Sequence, residues 1–393
     1  MDAVTVLSRN ELVKRAAELG PVLRENAQSS EEQRRLNAET LESLSGSGLL
    51  RMRVPHRFGG FESDARTVAD VLAELARGDG SAAWTASVWL ISSWMVGLFP
   101  DPVREEVFAD PDVRISGILS PTAMAVPVEG GYRVNGKWAF NTGCLHSSWN
   151  VNAAVRPAPD GQFEPVMVLI PMSELHIVDD WHTAGMRGSG SVSTVAEEVF
   201  VPEERLLPMG PVIGGAHPLQ QDPSAPMWRA PFMPIACTTV GAVASGLAQG
   251  ARDAFMARLP GRKITYTDYA EQEAAPVTHL QVADATVRVD EAAFHVARMA
   301  DLIDDKAVTG QAWSLEERGR ARLDLGAACL RAKEAVDVFA GASGGSSLRL
   351  DVPIQRIERD IRALHLHAIM HPNTNFELYG RMACGLAPNT QYL

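Results

Sequence analysis

Between two helical halves this chain carries an island of β-forming sequence, from Val113 to about Leu207, and that order of segments limits the architectures open to it. On either side, apolar residues recur at steps of three and four, the period of an amphipathic helix. Within the island, β-branched and aromatic runs are punctuated by glycine, asparagine and aspartate. The expected fold class is α+β: an N-terminal helical domain over 1–112, a middle β-domain over 113–225 and a C-terminal four-helix bundle over 226–393.

Asn135-Gly136 lies between two β-prone runs, and both residues tolerate positive φ, so a tight hairpin turn is expected there. The run after it places Trp138 and Phe140 on one side and ends in the polar groups of Asn141 and Thr142. Such a surface suits a planar heterocycle such as a flavin; an ordinary hairpin with aromatic core residues is the competing reading.

The C-terminal half carries three apolar stripes. They run Ala285, Val289, Ala292, Val296, Met299, Ile303; then Ala321, Leu325, Ala328, Ala332, Ala335, Phe339; then Ile354, Ile357, Ile361, Leu364, Ala368 behind an Asp351 cap with Pro353 in the first turn. Ala242 to Ala251, rich in small residues, fits close helix approach, and Pro208 to Pro234 reads as the connection from β-domain to bundle. Gly80 to Pro100 has no charged residue, but Ser81, Thr85, Ser87, Ser92 and Ser93 interrupt it, and Trp84, Val88, Ile91, Met95 and Leu98 form one stripe. It reads as a buried helix, with no membrane partner.

A net charge of -12 argues against nucleic acid, whose phosphates require clustered Lys and Arg. Cys144, Cys237, Cys329 and Cys384 show no metal spacing and read as buried thiols. Together with an N-terminus lacking a signal-peptide pattern, they suggest a cytoplasmic protein. Gly188-Ser189-Gly190 sits between strands, so a nicotinamide-binding turn is not expected. Gly341-Ala342-Ser343-Gly344-Gly345 follows a helix and is either a plain C-cap loop or a place where backbone approaches a ligand.

Several phrases, in order and spacing, resemble the acyl-CoA dehydrogenase superfamily. They are Gly80-Ser81-Ala82-Ala83-Trp84, Leu98-Phe99-Pro100, Gly130-Gly131-Tyr132 with Trp138-Ala139-Phe140, Asp180-Trp181, Arg187-Gly188-Ser189-Gly190-Ser191, Phe200-Val201-Pro202 and Arg359-Asp360. The resemblance runs from about Glu11 to the end and is strongest to the two-component, reduced-flavin-dependent monooxygenases, which include indole and phenol hydroxylases and amino-sugar nitrososynthases. It implies bound FAD as FADH2 (FMN being the alternative), O2 as co-substrate, a separate NAD(P)H:flavin reductase and a homo-oligomer, dimer or tetramer. Ser120, Trp138, Phe140, Asn141 and Thr142 are then expected at the flavin, with Arg262, Gly344 and Gly345 at its pyrophosphate, often across a subunit boundary. The aromatic residue that usually follows the arginine is not cleanly present; Thr265 or Tyr266 stands near its place.

Dehydrogenases of the family often carry a catalytic glutamate eight residues beyond the aspartate of Arg359-Asp360; here that position is Ala368, and no Glu occurs between Arg359 and Phe376. Losing a general base costs roughly two to four orders of magnitude in rate. The segment offers His365, His367 and His371 instead, and the monooxygenase branch uses a histidine near this place. His371 is therefore the expected acid/base group, with His146 second; a structural role and a two-histidine metal site are the rivals, and no third ligand is visible, so no metal is expected. Relatives acting on phenols or thiophenes often have a histidine before a Trp in the first domain, where this chain has Ser92-Ser93-Trp94. Trp84, Ser92 and Trp94 are the expected substrate contacts, although most of the tryptophans are expected in the core.

The implied reaction is oxygen transfer from a flavin C4a-hydroperoxide to an electron-rich aromatic ring, an indole or a phenol in secondary metabolism. N-oxygenation of a nucleotide-linked amino sugar is the alternative. An acyl-CoA dehydrogenase with its base elsewhere and a flavin-free scaffold are the remaining classes.

Overall fold

The computed structural model describes residues 7–158 and 161–393. Five helices come first: α1 (Arg9–Gln33), α2 (Ala38–Gly46), α3 (Ala65–Gly78), α4 (Gly80–Val96) and α5 (Asp101–Val107). A mixed sheet follows: β1 (Ile115–Val128), β2 (Gly131–Trp138), β3 (Trp149–Pro157), β4 (Phe163–Pro171), β5 (His176–Val178), β6 (Ser193–Pro202) and β7 (Leu206–Pro208). Its order is β5-β6-β2-β1-β3-β4-β7, with only the β1–β3 pair parallel. The short helices α6 (Met209–Gly214) and α7 (Pro218–Gln221) break up the connection to α8 (Phe232–Arg258), α9 (Pro276–Thr309), α10 (Leu315–Ala342), α11 (Pro353–His365) and α12 (Pro372–Ala383).

One apolar core joins the first helices to the bundle, and a second fills the β-domain. α4 is buried almost throughout, as its stripe requires. α8 alone among the described residues is long and apolar enough to cross a membrane, and 94% of its most apolar window is buried inside the protein. A side chain at Gly246 would collide with the backbone of Ala73, so the small residues of α8 do allow α3 to pack closely.

Four sequence expectations need correction. The β1–β2 turn is Glu129-Gly130, with Gly130 at φ +77°, and Asn135-Gly136 lies inside β2. There the Asn135 carboxamide accepts from the Glu198 N–H (2.8 Å) and donates to the Glu198 carboxylate (2.5 Å), bracing a register shift against β6. Gly136 lacks the side chain that would strike Ala123 on β1, so the pair serves a bulge and a close approach, not a turn. Asp351 does not cap α11: Val352 occupies that position, and Asp351 pairs with Arg349. The third stripe overruns its helix, because α11 ends at His365, before Ala368, and Pro372 then starts α12. Cys384 is exposed, unlike the other three cysteines.

Candidate active site

Asp79 caps α4 by accepting the Ala82 N–H at 3.0 Å, and one turn later α4 presents Trp84 to the β-domain. The Trp84 indole N–H donates to Thr142 Oγ1 at 3.1 Å. From Thr142 a hydroxyl chain runs to Ser191 (2.6 Å) and Ser189 (2.8 Å), and Ser189 donates to the Met186 carbonyl at 2.7 Å. The Met186 N–H donates to Asp360 on α11 at 2.5 Å. Beyond the end of that helix, the His367 ring meets Trp84 edge-on, 5.1 Å between centroids, closing the circuit. Three segments far apart in sequence are thus fixed to one another by buried bonds, each strengthened by the low local dielectric. The Arg187–Ser191 phrase signalled part of this circuit; nothing in the sequence joined it to Trp84.

Trp138 is not part of a flavin-facing wall. β2 ends at Trp138, whose fully buried indole donates to the Ala153 carbonyl at 2.7 Å inside the β-domain core. The alternation that would put Phe140 beside it fails because Phe140 takes φ +63°, a conformation with no regular strand geometry. Phe140 is instead 67% exposed and meets Trp181 edge-on at 5.9 Å. Asn141 is buried and its carboxamide is committed to Asn150 (3.1 Å) and Thr194 (2.7 Å), so it anchors the turn while Phe140 faces outward and Thr142 stays buried in the circuit. Ser120 is exposed where β1 breaks register, between Ile118 and Ala123. Trp94 is displaced from the expected substrate set: its indole donates to Met227 O at 2.8 Å and its ring packs on Phe232 in the core. Ser92 is buried under Gly117 of β1.

The histidines divide by environment. His367 accepts the Ile369 N–H at Nδ1 (3.4 Å), and burial pushes its pKa down to about 4. At neutral pH it is then a neutral imidazole with its proton on Nε2, a donor and not a base. His371 caps the start of α12, its ring 6.0 Å from that of His365, and Nδ1 of each is buried without a partner among the described residues. His146 follows the Gly143 turn; its Nε2 is likewise unpartnered, and burial with the nearby Arg114 lowers its pKa to about 4.

At the far end of the bundle, Arg262 donates to the Ser343 carbonyl at 2.5 Å, which draws it onto the Gly344-Gly345 loop. Its other terminal nitrogen is buried without a partner among the described residues, and Gly344 sits at φ +64°. A free guanidinium arm beside bare glycine backbone is the donor set a diphosphate needs. Tyr266 is fully exposed, so no aromatic side chain packs at this loop from that position.

The sequence profile of the acyl-CoA dehydrogenase N-terminal domain matches residues 10–101, and that of the C-terminal domain matches residues 238–372. The flavin-dependent monooxygenase oxygenase subunit HsaA of Rhodococcus jostii (strain RHA1) is 32% identical over 95% of this chain and 98% of its own length. This chain belongs to the acyl-CoA dehydrogenase family, in its two-component monooxygenase branch. The FADH(2)-dependent resorcinol hydroxylase oxygenase component of Rhizobium sp. (strain MTP-10005) is 29% identical, over 97% of this chain and 96% of its own. XiaF from Streptomyces sp., solved with FADH2 and glycerol, superposes with a TM-score of 0.91 at 30% identity, covering 97% of each chain. The protein is a flavin-dependent monooxygenase that uses reduced flavin and O2. Its relatives are named as oxygenase components, a term that implies a separate flavin reductase.

Proposed function

We propose that this monooxygenase hydroxylates an electron-rich aromatic ring, a phenol or an indole, with reduced FAD delivered by a separate reductase. The observation that carries the reading is His367 edge-on to Trp84, one hydrogen bond from Thr142, in a segment with no carboxylate base. Relatives suggest the substrate class, being named for resorcinol, p-hydroxyphenylacetate and indole-3-acetate.

Bound reduced flavin supplies the electrons that activate O2, one oxygen atom going to the ring and the other to water. Exposed Phe140 and Ser120, with Thr142 buried behind them, would hold the ring end of the cofactor; Arg262 and the Gly344-Gly345 backbone would hold its diphosphate, which favours FAD over FMN. Trp84 and His367 wall the substrate side, where the His367 Nε2–H orients a substrate oxygen or ring nitrogen by donating to it or to a bridging water. His371, its Nδ1 unpartnered, is the group we assign to take the substrate proton as the ring becomes nucleophilic, and His146 is the reserve candidate. The aromatic lining excludes water that would otherwise divert the oxygen to H2O2.

A turnover screen with an unrelated reductase, offering phenols, indoles and nucleotide-linked amino sugars, tests the reading. Hydroxylated ring products are expected. Oxygen transfer to the amino sugar alone would replace the substrate class and leave the cofactor chemistry standing.

A further inference from the structure

A cavity of about 550 Å³ opens between α1, α3, α8 and α11, and the reading above gives it no task. Its size lies in the range that small-molecule sites occupy. Four arginines line it, Arg24, Arg77, Arg258 and Arg356, together with four carboxylates, Glu74, Asp79, Asp253 and Asp360. The charges balance in number but not in engagement. Arg77 binds both Glu74 and Asp253. Asp79 accepts the Ala82 N–H and Asp360 the Met186 N–H. Every carboxylate thus has a donor, whereas Arg24, Arg258 and Arg356 make no hydrogen bond to an acceptor among the described residues. Arg356 is only 8% exposed, although its charge is felt by the buried carboxylates of Asp79 and Asp360. One terminal nitrogen of Arg258 is buried without a partner among the described residues, and Arg24, an exposed side chain of α1, lines the mouth.

A buried guanidinium without an acceptor costs several kcal/mol, so a fold that retains one invites an anion. Gly80 and Pro353 also line the cavity, which turns the N-termini of α4 and α11 toward it and adds positive potential. Asp79 and Asp360 oppose this, but burial raises the pKa of both, that of Asp360 to about 7, which weakens their negative charge near neutrality. Guanidinium forks match tetrahedral oxyanions, and the volume leaves room for more than the anion itself.

We propose that this cavity binds a phosphate-bearing small molecule of nucleotide size, clamped by Arg24, Arg258 and Arg356 and separate from the flavin site. The test is calorimetric titration of protein saturated with reduced FAD under anaerobic conditions, using ADP and inorganic pyrophosphate as probes. Binding of either is expected, and tighter binding of ADP identifies a nucleotide as the source of the phosphate. Arg258→Gln and Arg24→Gln, at half-buried and exposed positions that leave the fold intact, should each weaken it roughly tenfold, the value of one charge-assisted bond, while monooxygenase turnover is unchanged. Arg356→Gln should abolish binding. Three outcomes overturn the proposal: neither probe binds, binding ignores the Arg24 and Arg258 variants, or probes bind only until flavin is added. The last would make the cavity part of the dinucleotide site, because Arg258 lies close enough to Arg262 to lower its pKa.

Discussion

A histidine can assist oxygen insertion by giving a hydrogen bond or by taking a proton, and the two tasks need different ring nitrogens. His367 is fitted to the first, because Nδ1 already accepts the Ile369 N–H and burial keeps the ring neutral. His371 is fitted to the second, with a buried Nδ1 that has no partner among the described residues. Replacing His371 with Ala should lower hydroxylated product on the order of 100-fold at saturating substrate, with H2O2 release rising in its place. His367→Ala should act chiefly on KM, since it removes an orienting contact made in the ground state as well. Product and peroxide assayed per reduced flavin consumed decide between them. An unchanged product yield in His371→Ala would return that residue to a structural role at the head of α12 and move the base to His146.

α11 is tied to the β-domain by one buried bond, Met186 N–H to Asp360, and the acid there is a liability as well as an anchor. Burial first, then the charge of Asp79, raises its pKa to about 7. A carboxyl whose folded pKa exceeds its unfolded value of about 4 favours the protonated fold. Its contribution is therefore fully present below about pH 4, is lost as pH rises to about 7, and is constant above. Asp360→Asn keeps the acceptor and removes the charge. Its Tm should match the wild type near pH 4 and exceed it by roughly 2 °C or more at pH 8. A Tm below wild type at pH 8 would mean that Arg356 needs the Asp360 charge, and would weaken the anion clamp as well. Elements of this kind show what could be read in advance. The stripes of α9 and α10 and the buried α4 were legible because a single period sets which face is buried. Asn135-Gly136 misled because neither residue takes a positive φ here: the register shift puts Glu198 of β6 at φ +52°, and only the pairing with β6 reveals it. The switch of Phe140 to φ +63°, which separates it from Trp138, left no local mark, since that residue type rarely adopts it.

The surface of α9 bears on the whole assembly. Leu280, Val287 and Phe294 recur every seven residues on one side of the helix and are 72%, 57% and 58% exposed, an apolar line that water disfavours and a second helix would cover. A second copy of this chain would cover such a line, and the sequence resemblance makes the Arg262 loop a candidate contact to that copy's flavin. The two statements can be tested together. Light scattering should find a dimer or tetramer for the native protein and a monomer for the double variant Leu280→Asp, Phe294→Asp. If the diphosphate is held across the interface, the monomer should bind reduced FAD roughly tenfold more weakly, as Arg262→Ala should, because each removes a charged donor. Reduced FMN lacks the second phosphate and the adenosine, so its affinity should be nearly the same in all three proteins. A monomeric variant with native FAD affinity would place Arg262 on its own subunit's cofactor. A native protein that is monomeric would remove the interface altogether, and the apolar line on α9 would then need another partner.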